Sequence, residues 1–194
     1  MVEITNGNLF VVSGPSGVGK STICAEVVRR MENVHLSVSA TTRKIGKGEV
    51  DGENYIFLTE EQFKDMIRKD QFLEYAEVFG NLYGTPWAPV KESIKRGESI
   101  ILEIDVQGGM SVKKVYEPVV LIFIMAPKPE DVKERLHGRA RGEDEETERK
   151  RMELAKKEIE AANEYYDHIV VNDDLETAVR EVMSIIKKKS GENE

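Results

Sequence analysis

The sequence predicts an α/β fold in which helices cover both faces of a parallel sheet, and two patterns indicate it. Four short apolar runs have the composition of buried strands, at residues 9–13, 99–104, 119–125 and 169–171. Segments of helical character lie beside them, at residues 20–31, 88–96, 109–116, 129–137 and 175–188. Buried strands that alternate with amphipathic helices are typical of a three-layer core.

A glycine-rich turn joins the first strand to the first helix. Residues 14–21 match the pattern G-x-x-x-x-G-K-[ST], whose small residues let backbone N–H groups turn toward phosphate oxygens. The positive end of the following helix faces the same anion. The lysine reaches the terminal phosphates, and the serine hydroxyl is a ligand for Mg²⁺. The predicted ATP-binding residues here are Gly14, Pro15, Ser16, Gly17, Val18, Gly19, Lys20, Ser21 and Thr22.

This loop alone predicts nucleotide phosphate binding and leaves the reaction open, because a GTPase, an ATPase and a small-molecule kinase can each carry it. The middle of the chain is more specific, because it departs from the α/β pattern. Strand-like fragments at residues 36–42, 55–58 and 72–78, with one helix at 60–68, predict an inserted β-rich subdomain. Residues 138–148 are rich in arginine and acids with almost no apolar side chain, so they predict a mobile flap.

Composition narrows the class of protein. The 194 residues are 40% hydrophobic and 33% charged, which is typical of a globular domain in water. The longest apolar run, residues 119–126, is too short to span a bilayer, so we expect no membrane association. A net charge of −8 argues against nucleic acid as a partner. No signal-peptide pattern is visible, and the single cysteine, Cys24, suits a reducing cytoplasm.

Five motifs follow the phosphate loop in order. They are residues 37–43 (SVSATTR), 48–55 (GEVDGENY), Glu74, 80–85 (GNLYGT) and 104–108 (IDVQG). Together they resemble guanylate kinase, and the resemblance extends over about residues 7–187. It implies transfer of the terminal phosphoryl group of MgATP to GMP, with dGMP as a weaker acceptor. We expect a monomer or a small homo-oligomer.

The same resemblance implies a division of the chain into three parts. A P-loop core is expected at about residues 7–36, 87–128 and 152–188. A GMP-binding subdomain is expected at about residues 37–86, and a lid at about 129–151. The core and the subdomain then bring donor and acceptor together, and the lid closes over them.

The acceptor side of the resemblance centres on one carboxylate. Glu74 stands where the family places the acid that accepts hydrogen bonds from guanine N1–H and N2–H₂. Adenine offers neither donor, so it would leave this acid unpaired in a closed pocket. The family's hydroxyl and phosphate-binding positions match Ser39, Thr85, Arg43, Tyr55 and Tyr83. Arginine suits phosphate because its planar fork binds two oxygens.

The chain departs from the family's pattern at two positions. Gly46 stands where the family commonly has a second phosphate-binding arginine, and the neighbouring Lys47 is a candidate substitute. Glu103 stands where the family usually has aspartate, which leaves its reach to the acceptor nucleoside open. Glu103 and Asp105 are both predicted to face GMP, and Asp105 is also predicted to hold a Mg²⁺-bound water.

Arginines around the lid complete the predicted catalytic site. Arg135, Arg139 and Arg151 match the family's lid arginines, which supply positive charge and exclude water from the transferring group. With Lys20 and Arg43 they form the predicted catalytic set. Arg135 and Arg139 are also expected to bind ATP. The residues that match the family's donor-adenine positions are Asn172 and Asp173.

Two other functions fit parts of the pattern. Guanylate-kinase-like modules of scaffold proteins bind peptides without catalysis, and they generally have damaged phosphate loops, whereas Lys20 and Ser21 are intact here. A kinase for another phosphorylated sugar or nucleotide could use a similar core. Glu74, together with the two matching hydroxyl positions, argues against that alternative.

Overall fold

The computed structural model describes residues 7–78, 80–127 and 145–191, and within the last range it describes side chains from residue 152 onward. The strands are β1 (Leu9–Ser13), β2 (Val34–Leu36), β3 (Ala40–Thr41), β4 (Ile56–Phe57), β5 (Phe72–Val78), β6 (Asn81–Pro86), β7 (Ser99–Glu103), β8 (Val120–Met125) and β9 (His168–Val171). The helices of the described ranges are α1 (Lys20–Arg30), α2 (Glu60–Arg68), α3 (Trp87–Lys95), α4 (Val106–Val115), α5 (Glu145–Tyr165) and α6 (Leu175–Ser190).

Five parallel strands form the main sheet, in the order β2-β7-β1-β8-β9. Alternate residues of β1 point to opposite faces. Phe10 and Val12 pack in a cluster with residues of α1 and α6, whereas Leu9 and Val11 pack in a cluster with residues of α3 and α4. Burying each aliphatic or aromatic side chain of this kind contributes about 1.5–3 kcal/mol. The predicted α/β fold, with helices on both faces of a parallel sheet, is confirmed.

A second, four-stranded sheet lies between β2 and α3 in the sequence, in the order β4-β3-β6-β5. Strand β3 pairs parallel to β4 and antiparallel to β6, and β5 pairs antiparallel to β6. Helix α2 begins with a capping box, in which Thr59 and Gln62 each bond the other's backbone N–H. The Phe63 ring stacks on Phe72 at 4.4 Å, which fixes α2 against β5. The insertion of β-structure is thus observed, while its boundary as a separate subdomain stays a prediction.

The observed elements correct two details of the predicted pattern. The strand-like fragment predicted at residues 36–42 is divided between two strands, because the chain changes sheets there: β2 pairs with β7, and β3 pairs with β6. Helix α4 begins at Val106 rather than at residue 109, because Asp105 caps it by accepting from the Gly108 N–H at 2.7 Å. The predicted helix at 129–137 lies outside the described residues.

The carboxyl ends of the parallel strands collect the residues that carry chemistry. The phosphate-loop sequence follows β1, Asp105 follows β7 and Asn172 follows β9. Ligands of open α/β sheets bind at this edge. Among the residues that the structure describes, no helix combines the length and the apolar character needed to cross a membrane.

A close approach between α4 and Tyr166 gives a test of the packing. A Cβ atom on Gly109 would lie 2.4 Å from the Tyr166 hydroxyl oxygen and 3.1 Å from Val11 Cγ1. We expect Gly109→Ala to lower the free energy of unfolding by about 1–3 kcal/mol, measured by equilibrium urea denaturation. Tyr166→Phe removes the nearest atom. The double variant should therefore lose less free energy of unfolding than the two single variants lose in sum. A Gly109→Ala protein as stable as the parent would contradict this packing.

Candidate active site

A cleft of about 920 Å³ opens at the carboxyl edge of the main sheet, and the second sheet and α5 supply its other walls. Ten of the predicted site residues line it. Those that do so are Gly14, Ser16, Lys20, Ser21, Ser39, Tyr55, Glu74, Tyr83, Glu103 and Asp105. Thr85 is fully buried behind the cleft wall, and Arg43 lies beside Tyr55 and Tyr83 without lining the cleft.

Close contacts explain the glycines of the phosphate loop. Gly14 has φ +150°, and a Cβ atom there would lie 2.2 Å from the Ile124 carbonyl oxygen on β8. Gly19 has φ +100°, and a Cβ atom there would lie 2.5 Å from the side-chain nitrogen of Asn172. Only glycine fits both positions without strain. Because α1 begins at Lys20, its N-terminal N–H groups face the loop, which is the arrangement that binds phosphate.

Polar contacts join the loop to the neighbouring strand ends. The Lys20 ammonium donates to the carbonyl oxygens of Gly14 and Pro15. The Ser21 hydroxyl donates to Oε1 of Glu103, the last residue of β7, at 2.6 Å. Glu103 therefore contacts the residue predicted to bind Mg²⁺, and its contact with a nucleoside stays a prediction.

Glu74 lies in a buried position that its strand pairing sets. It stands on β5 directly opposite Thr85 on β6, whose hydroxyl donates to Glu74 Oε1 at 2.7 Å. The residue is only 8% exposed, and this burial raises the pKa of the Glu74 carboxyl, while the hydrogen bond from Thr85 opposes the rise. An acid of this kind is poised to accept hydrogen bonds from a ligand that enters the cleft.

Arg43 is the centre of a second polar cluster. Its guanidinium lies over the rings of Tyr55 and Phe57, at 5.3 and 5.6 Å, and the Tyr55 ring packs edge-to-face against that of Tyr83. It also donates two hydrogen bonds to Glu49, at 2.8 and 3.0 Å. The structure thus brings together the three residues predicted to bind the acceptor phosphate. It adds Glu49, whose pKa is lowered chiefly by the hydrogen bond from Arg43.

The donor-side predictions are described in part. Asn172 is buried, and its side-chain nitrogen donates to the Val18 carbonyl oxygen at 2.7 Å, so it supports the phosphate loop. Asp173 is exposed beside it. Arg135 and Arg139 lie outside the described residues, as does most of the predicted lid. Arg151 lies on α5, but its side chain is not among those described.

Three residues that the sequence did not predict, Ser13, Glu158 and Tyr166, also belong to this region. Tyr166 donates to the Ser13 hydroxyl at 2.7 Å, and Ser13 donates to the Asp105 carbonyl oxygen at 3.2 Å. Glu158 on α5 lines the cleft, and burial raises its pKa while Lys20 lowers it. No local pattern distinguishes these residues, because each acquires its role through a contact with a distant part of the chain.

The glycine-rich phosphate loop at the carboxyl edge of a parallel sheet, and the cleft that it shares with Glu74 and Asp105, define a P-loop nucleotide-binding protein of the α/β class. A family model described as guanylate kinase matches residues 6–189. The chain belongs to the guanylate kinase family.

Individual relatives agree with this assignment. Guanylate kinase of Carboxydothermus hydrogenoformans is 50% identical over 181 residues, which cover 93% of this chain and 87% of that protein. Guanylate kinase of Clostridioides difficile is 44% identical, with 96% of this chain and 90% of the relative covered. A crystal structure of guanylate kinase from Anaplasma phagocytophilum superposes with a TM-score of 0.78 at 33% identity, covering 96% of this chain and 87% of that one.

The raised pKa of Glu74 makes a prediction about stability. Because the folded protein holds this proton more tightly than the unfolded chain, the stability that Glu74 contributes is lost as pH rises from about 4.5 through the raised value. Glu74→Gln removes the buried charge. We therefore expect the Tm of the variant minus that of the parent to be greater at pH 8 than at pH 5. The difference should be roughly 2–4 °C for each 1 kcal/mol by which ionisation of Glu74 destabilises the parent.

The matched control for this experiment is Glu77→Gln, an exposed acid on the same strand. Its Tm difference from the parent should change little between the two pH values. If Glu74→Gln showed no more pH dependence than this control, Glu74 would not be buried as described.

Proposed function

We propose that this cleft carries out the guanylate kinase reaction, in which ATP phosphorylates GMP to give ADP and GDP. Family membership over nearly the whole chain supports this activity. The observation that carries it is that Lys20 and Ser21 of the phosphate loop and the buried carboxylate of Glu74 line one cleft. A peptide-binding module needs no such loop, and a kinase for a different acceptor needs no such carboxylate.

Guanine recognition is assigned to Glu74 and its neighbours. The ionised carboxylate would accept from guanine N1–H and N2–H₂, with the Ser39 and Thr85 hydroxyls completing the set. Thr85 donates to one carboxylate oxygen and so orients the group. We propose that dGMP is also an acceptor, because it carries the same base, and that it is the weaker of the two.

The acceptor phosphate is assigned to Arg43, Tyr55 and Tyr83, and the Tyr55 ring contacts both of the others. An oxygen of this phosphate is the nucleophile and is ionised at neutral pH, so the step needs no protein base. Alignment and positive charge then supply the catalysis. We also propose that the exposed Lys47 takes the place of the family's second arginine, and a Lys47→Ala enzyme with unchanged KM for GMP would contradict this.

Mg²⁺ is assigned to the Ser21 hydroxyl, with Asp105 holding a metal-bound water. The fit is chemical: Ser21 and Glu103 present hard oxygen atoms within hydrogen-bonding distance of each other beside the loop. When bound with ATP, the ion neutralises charge on the transferring phosphoryl group. Within the described residues, no group of acids, histidines or cysteines forms a metal site by itself, so the nucleotide and water must supply most ligands.

The remaining assignments concern the donor and the setting. Lys20 would hold the terminal phosphates, and the lid arginines Arg135, Arg139 and Arg151 would surround the group in transfer. Asn172 and Asp173 would lie near the donor adenine. We propose a cytoplasmic enzyme that acts as a monomer or small homo-oligomer, with nucleotides rather than nucleic acid as its partners.

The test is a coupled assay of ADP release with GMP, AMP, UMP and a ribose phosphate as acceptors. GMP should be the preferred acceptor, and turnover with AMP but not GMP would contradict the proposal. Glu74→Gln should raise KM for GMP about 10- to 100-fold, because a hydrogen bond to a charged group contributes about 1.5–3 kcal/mol. KM for ATP should change little, and Glu61→Gln, which replaces an exposed acid of α2 that does not line the cleft, serves as the control.

A further inference from the structure

Glu49 is hydrogen-bonded to the guanidinium group of Arg43, which is the group assigned to the acceptor phosphate. The two carboxylate oxygens of Glu49 each accept from a different terminal nitrogen of Arg43. The same guanidinium group also donates to the Lys44 carbonyl oxygen. The terminal nitrogens of Arg43 therefore already have partners, and the principal one is an acid.

The backbone at Gly46 completes this arrangement. The Gly46 N–H donates to Glu49 Oε2, so the carboxylate receives the arginine fork and one backbone N–H together. A fork combined with a backbone N–H is the donor set of a phosphate site. A Cβ atom on Gly46 would lie 2.8 Å from Glu49 Oε2, so the missing side chain at this position leaves room for the carboxylate.

The acceptor phosphate needs the same fork. Tyr55 and Tyr83 line the cleft, whereas Arg43 does not and is turned toward Glu49. A carboxylate and a phosphate dianion repel each other, and two anions cannot both take the same pair of donors. Either the acid leaves when the phosphate arrives, or it stays and holds Arg43 in place for the phosphate. These two roles predict opposite effects of removing the acid.

We propose that Glu49 is an internal anion that holds Arg43 until the phosphate of the acceptor nucleotide displaces it. This inference rests on the proposed function for the identity of the displacing ligand. The exchange favours acceptors that carry a dianionic phosphate, because a neutral nucleoside has no anionic group to replace the Glu49 carboxylate at Arg43. The pair is suited to exchange, since its side chains are 31% and 24% exposed and water can reach them. Ion pairs that water can reach are weak, so the exchange is readily reversible.

The experiment compares the full chain with its Glu49→Gln variant by isothermal titration calorimetry. The titrants are GMP, guanosine and inorganic phosphate. Glutamine keeps the size of the side chain and removes the competing charge. We expect the Kd for GMP to fall about two- to five-fold, which is the range for an exposed ion pair. Inorganic phosphate should also bind more tightly, and guanosine binding should not change.

The matched control is Glu98→Gln, which changes the charge equally and breaks a similar pair. Glu98 accepts two hydrogen bonds from Arg96 and precedes β7, at the end of the strand away from the cleft. The Glu98→Gln variant should bind all three titrants with the same Kd values as the parent. Thermal unfolding of both variants verifies that each is folded.

Each other outcome is decisive. Weaker GMP binding by Glu49→Gln with unchanged guanosine binding would mean that Glu49 positions Arg43, and would overturn the exchange. Unchanged GMP binding, or equal weakening of GMP and guanosine, would overturn it as well. If the parent protein does not bind GMP, but the variant binds inorganic phosphate more tightly, the proposed function fails while the anion exchange stands.

Discussion

The contact between the phosphate loop and strand β8 is the constraint on which the rest of the site depends. Gly14 leaves β1 so close to the Ile124 carbonyl that no side chain fits between them. This approach fixes where the loop turns, and therefore where the N-terminus of α1 points. Asn172, at the end of β9, then supports the loop from outside through the Val18 carbonyl. Three strand ends thus hold one anion-binding loop.

That rigidity has a physical source in the buried sheet. Strands β1 and β8 are almost completely buried, with helices on both faces, so small displacements at their ends would cost packing on both sides. The Tyr166, Ser13 and Asp105 contacts extend the same support to the start of α4. The second sheet contributes another wall of the cleft, where Tyr55, Glu74 and Tyr83 lie. The phosphate loop on the main sheet thus faces residues that are carried by a separate sheet.

The acids around the cleft differ because their surroundings differ. Burial raises the pKa of Glu74, whereas Arg43 lowers the pKa of Glu49, although both carboxylates belong to the same inserted region. Glu103 is bonded to the phosphate-loop serine instead. The three glutamates therefore have three different partners: Glu74 accepts from the Thr85 hydroxyl, Glu49 from the Arg43 guanidinium and Glu103 from the Ser21 hydroxyl. Because all three are glutamates, the residue type alone does not indicate these different contacts.

The sequence by itself determined the fold class, the phosphate loop and α2, because each depends on a local pattern: buried apolar runs, glycine spacing and the Thr59–Gln62 capping box. Motif order also predicted the Glu74 and Arg43 clusters. Only the tertiary structure decided the division of residues 36–42 between two sheets, since either strand partner satisfies the same apolar pattern. It likewise decided the partners of Tyr166, Glu103 and Glu49. These depend on contacts such as that of Ser21 with Glu103, 82 residues away, which no local periodicity encodes.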